Sequence, residues 1–93
     1  MAVVVITLKI MPENPGIDMV ELEKKAKEKI IEFTNDDGEM KVEIEPVAFG
    51  LNALKIIFVM EESLGSPDPL AENIENFDEV TSAEIVDVRR ALG

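Results

Sequence analysis

Arg89 and Arg90 are the only guanidinium groups in this 93-residue sequence, and they stand side by side three residues before its last residue. They follow a 33-residue stretch, Ile56 to Val88, that carries nine carboxylates (Glu61, Glu62, Asp68, Glu72, Glu75, Asp78, Glu79, Glu84 and Asp87) and no base. A guanidinium is a planar fork of fixed donors, suited to bidentate contact with a carboxylate or a phosphate. At the end of a strand, the pair is a candidate contact for a partner's oxyanion. The carboxylates also fit an acidic, solvated face that keeps a small domain soluble, with the arginines as its local counter-charge.

The turn Ala48-Phe49-Gly50-Leu51 is the second candidate. A Phe beside a Gly at a hairpin tip serves either as a core plug or as an exposed aromatic anchor for a partner surface. Glu43/Glu45 and Glu61/Glu62 have the composition of acid–base or metal pairs, but a solvated strand face looks the same. No catalytic residue, metal ligand or cofactor is assigned. The sequence has no His and no Cys, which removes imidazole bases, thiolate nucleophiles, disulfides and the usual zinc cages. With 20 acidic and 9 basic side chains the net charge is −11, the wrong sign for nucleic acid or an anionic membrane surface. The apolar run Ile56–Met60 is far short of the ~20 residues of a spanning helix. Residues 1–11 lack the basic leader of a signal peptide. The expectation is a soluble, cytoplasmic, acidic single domain over residues 1–93.

These candidates need elements to position them. Val3–Met11 is β-branched and apolar on both parities, the pattern of an interior strand, and Pro12 with Pro15-Gly16 ends it. Asp18 and Glu21 form a capping box. Met19, Leu22, Ala26, Ile30 and Phe33 then recur at spacings of 3, 4, 4 and 3, predicting a helix from about Asp18 to Phe33. Asn35-Asp36-Asp37-Gly38 is turn chemistry. Lys41–Glu45 alternates, with Val42 and Ile44 inward, and Pro46 marks an edge strand kinked at that point. Gly50 suggests a tight hairpin or bulge leading into a strand over Leu51–Met60. Gly65-Ser66-Pro67 is a loop. Asp68 caps a second helix with Pro69 at its first position and Leu70, Ile74 and Phe77 as its stripe. Ala83–Arg90 reads as the last strand, with Val86 and Val88 on one parity and Ile85 on the other. The order strand, helix, strand, strand, helix, strand predicts an α+β, ferredoxin-like two-layer sandwich, a four-stranded antiparallel sheet with two helices on one face.

Several occupations of that fold fit poorly. An RNA-recognition domain needs aromatic platforms and basic charge, whereas two of the four Phe lie on helical stripes. A copper chaperone needs a Cys pair, and an acylphosphatase-type site needs an Arg in the loop after the first strand, which Pro12–Gly16 lacks. A regulatory module that binds a small ligand or mediates oligomerisation through its open sheet face stays open as the alternative.

Three segments resemble archaeal members of the translation elongation factor 1-beta family. They are Pro46-Val47-Ala48-Phe49-Gly50-Leu51, the Val3–Met11 strand closing in Ile10-Met11-Pro12, and the tail Glu84-Ile85-Val86-Asp87-Val88-Arg89-Arg90-Ala91-Leu92-Gly93. The likeness runs in order over essentially the whole chain. It implies the ferredoxin-like fold and a guanine-nucleotide exchange factor for the GTPase elongation factor 1-alpha. Such a factor is a free monomer that performs no covalent chemistry and contacts no nucleic acid directly. The family's Phe-Gly turn, used against the GTPase, falls on Phe49 and Gly50. Its basic residue near the C-terminus, a Lys in eukaryotic members that projects toward the GTPase's magnesium site, aligns with Arg90. Arg here replaces that Lys, a planar fork for a point charge. Strand parity puts Arg89 and Arg90 on opposite faces, and leaves open which of them reaches the partner.

Overall fold

Strand β1 (Val3–Pro12) runs through the middle of a four-stranded sheet, between β3 (Leu51–Glu61) and β4 (Val80–Arg90), with β2 (Lys41–Ala48) outside β3. Every neighbouring pair is antiparallel. This is a computed structural model, and it describes residues 2–35, 38–48 and 50–90. Helices α1 (Met19–Thr34) and α2 (Asp68–Glu75) complete the order β-α-β-β-α-β of a ferredoxin-like sandwich.

The alternation along β1 explains the layering. Ile6, Leu8 and Ile10 are fully buried beneath the helices, and their partners Phe58, Ile56 and Leu54 on β3 point the same way. Leu22, Ala26 and Ile30 of α1 and Leu70, Ala71 and Ile74 of α2 close this core from above. Helix α1 starts at Met19 with Asp18 as its expected cap. The Asp18 carboxylate accepts from the Val20 and Glu21 amides at 3.0 and 3.2 Å, and Asn35 in the left-handed region ends the helix. Asp36 and Asp37 of the predicted turn lie outside the described residues.

Four local expectations are corrected. Ile44 shares the helix-side face with its partner Leu54 yet is half exposed, because β2 is the edge strand of the sheet and is less covered than the interior strands. The second helix begins at Asp68 itself, whose amide donates to Ser66 Oγ at 3.1 Å, so Asp68 is a first-turn residue rather than the cap. That helix ends at Glu75, which leaves Phe77 in the following turn, still packed against the core. The fourth correction concerns β4, which starts at Val80 and is irregular twice. Pairing jumps from Met11↔Ser82 to Pro12↔Val80, and from Leu8↔Ile85 to Thr7↔Asp87, so Thr81 and Val86 are extra residues. Each bulge reverses the parity of the residues beyond it. Val80 and Ala83 are both buried although three apart, and Ile85 and Val88 share one face despite opposite parity. The kink expected at Pro46 is present as a register shift between Pro46 and Ala48.

The other face of the sheet is open and carries an ordered charge row. Register places Glu43, Lys55, Lys9 and Glu84 side by side across all four strands. Two lysines directly opposite one another repel. Glu45, one row along, lies 3.8 Å from both ammonium groups and offsets that repulsion.

On the helix side, Lys25 clamps α1 to the turn before β4. Its ammonium donates to both Glu79 carboxylate oxygens at 2.9 and 2.7 Å and lies 4.7 Å above the Phe77 ring. The Glu79 carboxyl is held below its ordinary value of 4.5, first by the Lys25 hydrogen bond and then by its own backbone amide. A carboxyl with a lowered folded-state pKa contributes stability that is present above the unfolded value and lost as pH falls through the folded one. The destabilisation caused by Lys25→Met should therefore be full at pH 7 and shrink as pH falls below about 4.5, in urea titrations of both proteins across that range. A second expectation separates core from surface. Leu8→Ala should cost about 2–5 kcal/mol, whereas Val88→Thr, at a half-exposed position, should stay within about 0.5 kcal/mol.

Candidate functional site

The β1–β4 ladder continues to Val4↔Arg90 and Val5↔Arg89, so both arginines are carried on paired strand at one end of the sheet. The Val86 bulge determines where each points. Counted from the core-facing Ile85 without a bulge, Arg89 would share its face. With Val86 extra, Arg90 follows Val88 on the helix side, and Arg89 joins Asp87 on the open side. The opposite-face expectation holds, and the bulge assigns the faces.

Both guanidiniums are engaged. Arg89 Nε donates to Asp87 Oδ2 at 2.9 Å, a contact between residues two apart on one strand. Arg90 makes a different bond, to another element. Its Nε donates to Glu62 Oε2 at 3.0 Å and its Nη2 to Glu62 Oε1 at 2.7 Å, the bidentate fork of an Arg–carboxylate pair. Those hydrogen bonds, and the negative charge beside it, raise the Arg90 pKa above its ordinary value. Glu62 opens a 3-10 turn, Glu62–Leu64, that continues directly from β3. Its backbone is held on both sides: the amide donates to Ala2 O at 3.0 Å, and the carbonyl accepts from the Gly65 amide at 3.1 Å. A shallow depression of about 360 Å³ adjoins the pair, lined by Ala2, Glu61, Glu62 and Ser63.

Gly50 is at the opposite end, between the paired residues Ala48 and Leu51. Gly50 is exposed with φ of 76°, in the left-handed region, where a side chain would be strained even though the space around it is open. Phe49 lies outside the described residues. Arg90 is level with Val4 and Met60, nine residues along β3 from Leu51 at the turn. At about 3.3 Å per residue Arg90 and Gly50 are roughly 30 Å apart. The fold does not bring them together.

The carboxylate pairs weighed as acid–base or metal sites have structural partners. Glu43 pairs with Lys41 at 3.6 Å, Glu45 serves Lys9 and Lys55, and Glu61 accepts from Ser63 Oγ at 3.4 Å. Among the described residues no three acidic side chains converge on a point that would hold a metal ion. None of the described helices is long and apolar enough to cross a membrane. Sequence reading treats Glu62 only as half of an acidic pair and misses its part in the site. The available signal is Glu-Ser-Leu-Gly, in which Gly65 with φ of 84° closes the 3-10 turn that turns Glu62 toward Arg90.

Comparison with known proteins bears on this site. Residues 5–91 match the family model of the EF-1 guanine nucleotide exchange domain. The chain is 41% identical over 93 residues to elongation factor 1-beta of Methanobrevibacter smithii, covering 99% of this chain and 100% of that one. It is 37% identical over 89 residues to elongation factor 1-beta of Methanothermobacter thermautotrophicus, covering 96% and 97%. Among solved structures, a de novo designed protein, Foldit4, superposes with a TM-score of 0.54 at 20% identity over 99% of this chain and 97% of that one, a likeness of fold alone. The strands, the turn and the arginine-bearing end thus lie almost wholly within the matched span, and the chain belongs to the EF-1 guanine nucleotide exchange domain family, with archaeal elongation factor 1-beta proteins as its relatives.

Proposed function

We propose that residues 1–93 act as one exchange domain that speeds release of GDP from elongation factor 1-alpha. The observation that carries this reading is the family match across residues 5–91. The domain works in the cytoplasm as a free monomer, through protein contact, without covalent chemistry, a bound cofactor or direct contact with nucleic acid. It binds the nucleotide-free GTPase more tightly than the GDP-bound form, and by linkage weakens GDP by the same factor. Arg90 is the residue that enters the magnesium and phosphate region, where a guanidinium competes with the metal for carboxylate and phosphate oxygens. What favours Arg90 over Arg89 is its side-on fork geometry and its projection away from its own strand neighbours.

Phe49 and Gly50 form the second contact. Gly50, beside the start of β3, is roughly 30 Å from Arg90 along that strand, so in this reading the domain grips its partner at two places. The arginine end acts at the metal, and the turn anchors elsewhere on the same GTPase. The acidic surface complements the basic surface of a protein that carries tRNA, which raises association rate more than affinity.

The test is release of a fluorescent GDP from the GTPase in the presence of catalytic amounts of this protein. Acceleration is expected, reduced at least about tenfold by Arg90→Ala, the scale of losing a charged hydrogen-bonded contact. Phe49→Ala should weaken it too, and both variants should unfold at the wild-type temperature. A GDP off-rate unaffected by the wild-type protein would end the proposal.

A further inference from the structure

The geometry points to Glu62 as an internal stand-in for the partner's oxyanion: it occupies the Nε–Nη2 edge of the Arg90 fork in the free protein and is displaced when the partner's oxyanion takes that edge. This rests on the exchange function proposed for the domain. Three features support it. The contact is the bidentate carboxylate geometry in which a guanidinium receives an external carboxylate or phosphate, at 2.7 and 3.0 Å. The carboxylate is borne by a residue whose own backbone is tied to Ala2 and Gly65, so it is presented to β4 from a fixed point. Both side chains are nonetheless open to water, with 65% and 41% of their surfaces exposed, so the pair is held weakly enough to exchange.

Charge gives the stand-in a consequence. While Glu62 is in place the fork presents no net positive charge, so stray anions are not attracted to it. A partner that offers an oxygen acceptor in matched geometry replaces Glu62 like for like. The freed Glu62 carboxylate has the adjoining depression of about 360 Å³ to turn into. Arg89 lacks such a device, since its carboxylate is a neighbour on its own strand and is met by Nε. Glu62 therefore sets how readily Arg90 is available, while the contact that loosens GDP is made by Arg90.

The experiment compares concentration curves of stimulated GDP release for the wild-type protein, Glu62→Gln, Arg90→Ala and the double variant. Glu62→Gln should lower the half-saturating concentration about two- to fivefold, the range expected of an exposed ion pair, with the maximal rate unchanged. In the Arg90→Ala background the same substitution should change nothing, because there is no fork to release. Raising ionic strength should shrink the gain, since salt screens exposed pairs. The inference is overturned if Glu62→Gln leaves the curve unchanged or weakens it, or if it helps equally without Arg90. Weakening would identify Glu62 as a support for Arg90 instead. A wild-type protein inactive in the same assay would instead remove the exchange function on which the inference stands, and the two failures are told apart by that control.

Discussion

Strand β1 is paired on both edges, and that pairing sets the positions of the other elements. A buried strand cannot leave amides and carbonyls unpaired, since each would bear the full desolvation penalty. β1 meets the demand with β3 on one side and β4 on the other, both antiparallel. Its even-numbered residues then form the floor on which α1 and α2 lie, with Ile6, Leu8 and Ile10 wholly removed from water. The same ladder brings the last residues of β4 level with the first of β1 and the last of β3. Arg90 meets Glu62 because Val4 pairs with Arg90 on one edge and with Met60 on the other. The central strand that organises the core is also the ruler that places the arginine-bearing end.

Electrostatics in this protein is a matter of distribution rather than total. The net charge of −11 leaves few cations, and several of them meet carboxylates from distant parts of the chain. Lys25 on α1 takes Glu79, more than fifty residues away, and adds the Phe77 ring. Lys9 and Lys55 share Glu45 across three strands. Arg90 takes Glu62 from the turn beyond β3. The base-free stretch from Ile56 to Val88 is therefore base-free only along the sequence. In space, Glu62 and Glu79 within it are matched by bases from outside it.

The arginine-bearing end of the sheet combines a rigid support with an exposed tip. β4 supplies both. It is bound to β1 until Arg90, and it is the outer strand on that side of the sheet. Helix α2 backs it further along, where the Glu75 carboxylate accepts from the Ala83 amide at 3.3 Å. The hairpin turn at the far end is similarly supported by long, paired strands.

Much of this was legible in the sequence. The helical stripe Leu22, Ala26 and Ile30, the interior character of Val3–Met11, the edge strand with its break at Pro46 and the element order all read directly from residue type and spacing. The arginine pair and the Phe-Gly turn stood out by composition. Those properties belong to one segment at a time: whether a side chain prefers water, and with what period, depends on the local chain alone. The extra residues at Thr81 and Val86, the choice of Arg90 for the helix side, the pairing of Arg90 with Glu62 and the separation of the arginines from the turn were not legible. Each is a relation between strands, set by register. A bulge inserts one residue and turns every later side chain over, and no local preference in Ile85-Val86-Asp87 announces it. The sequence alone determined which faces of the helices and of β1 are buried and which residues were available for contact. Tertiary structure decided which of two adjacent arginines faces which way and what holds it, because that depends on the strand alongside.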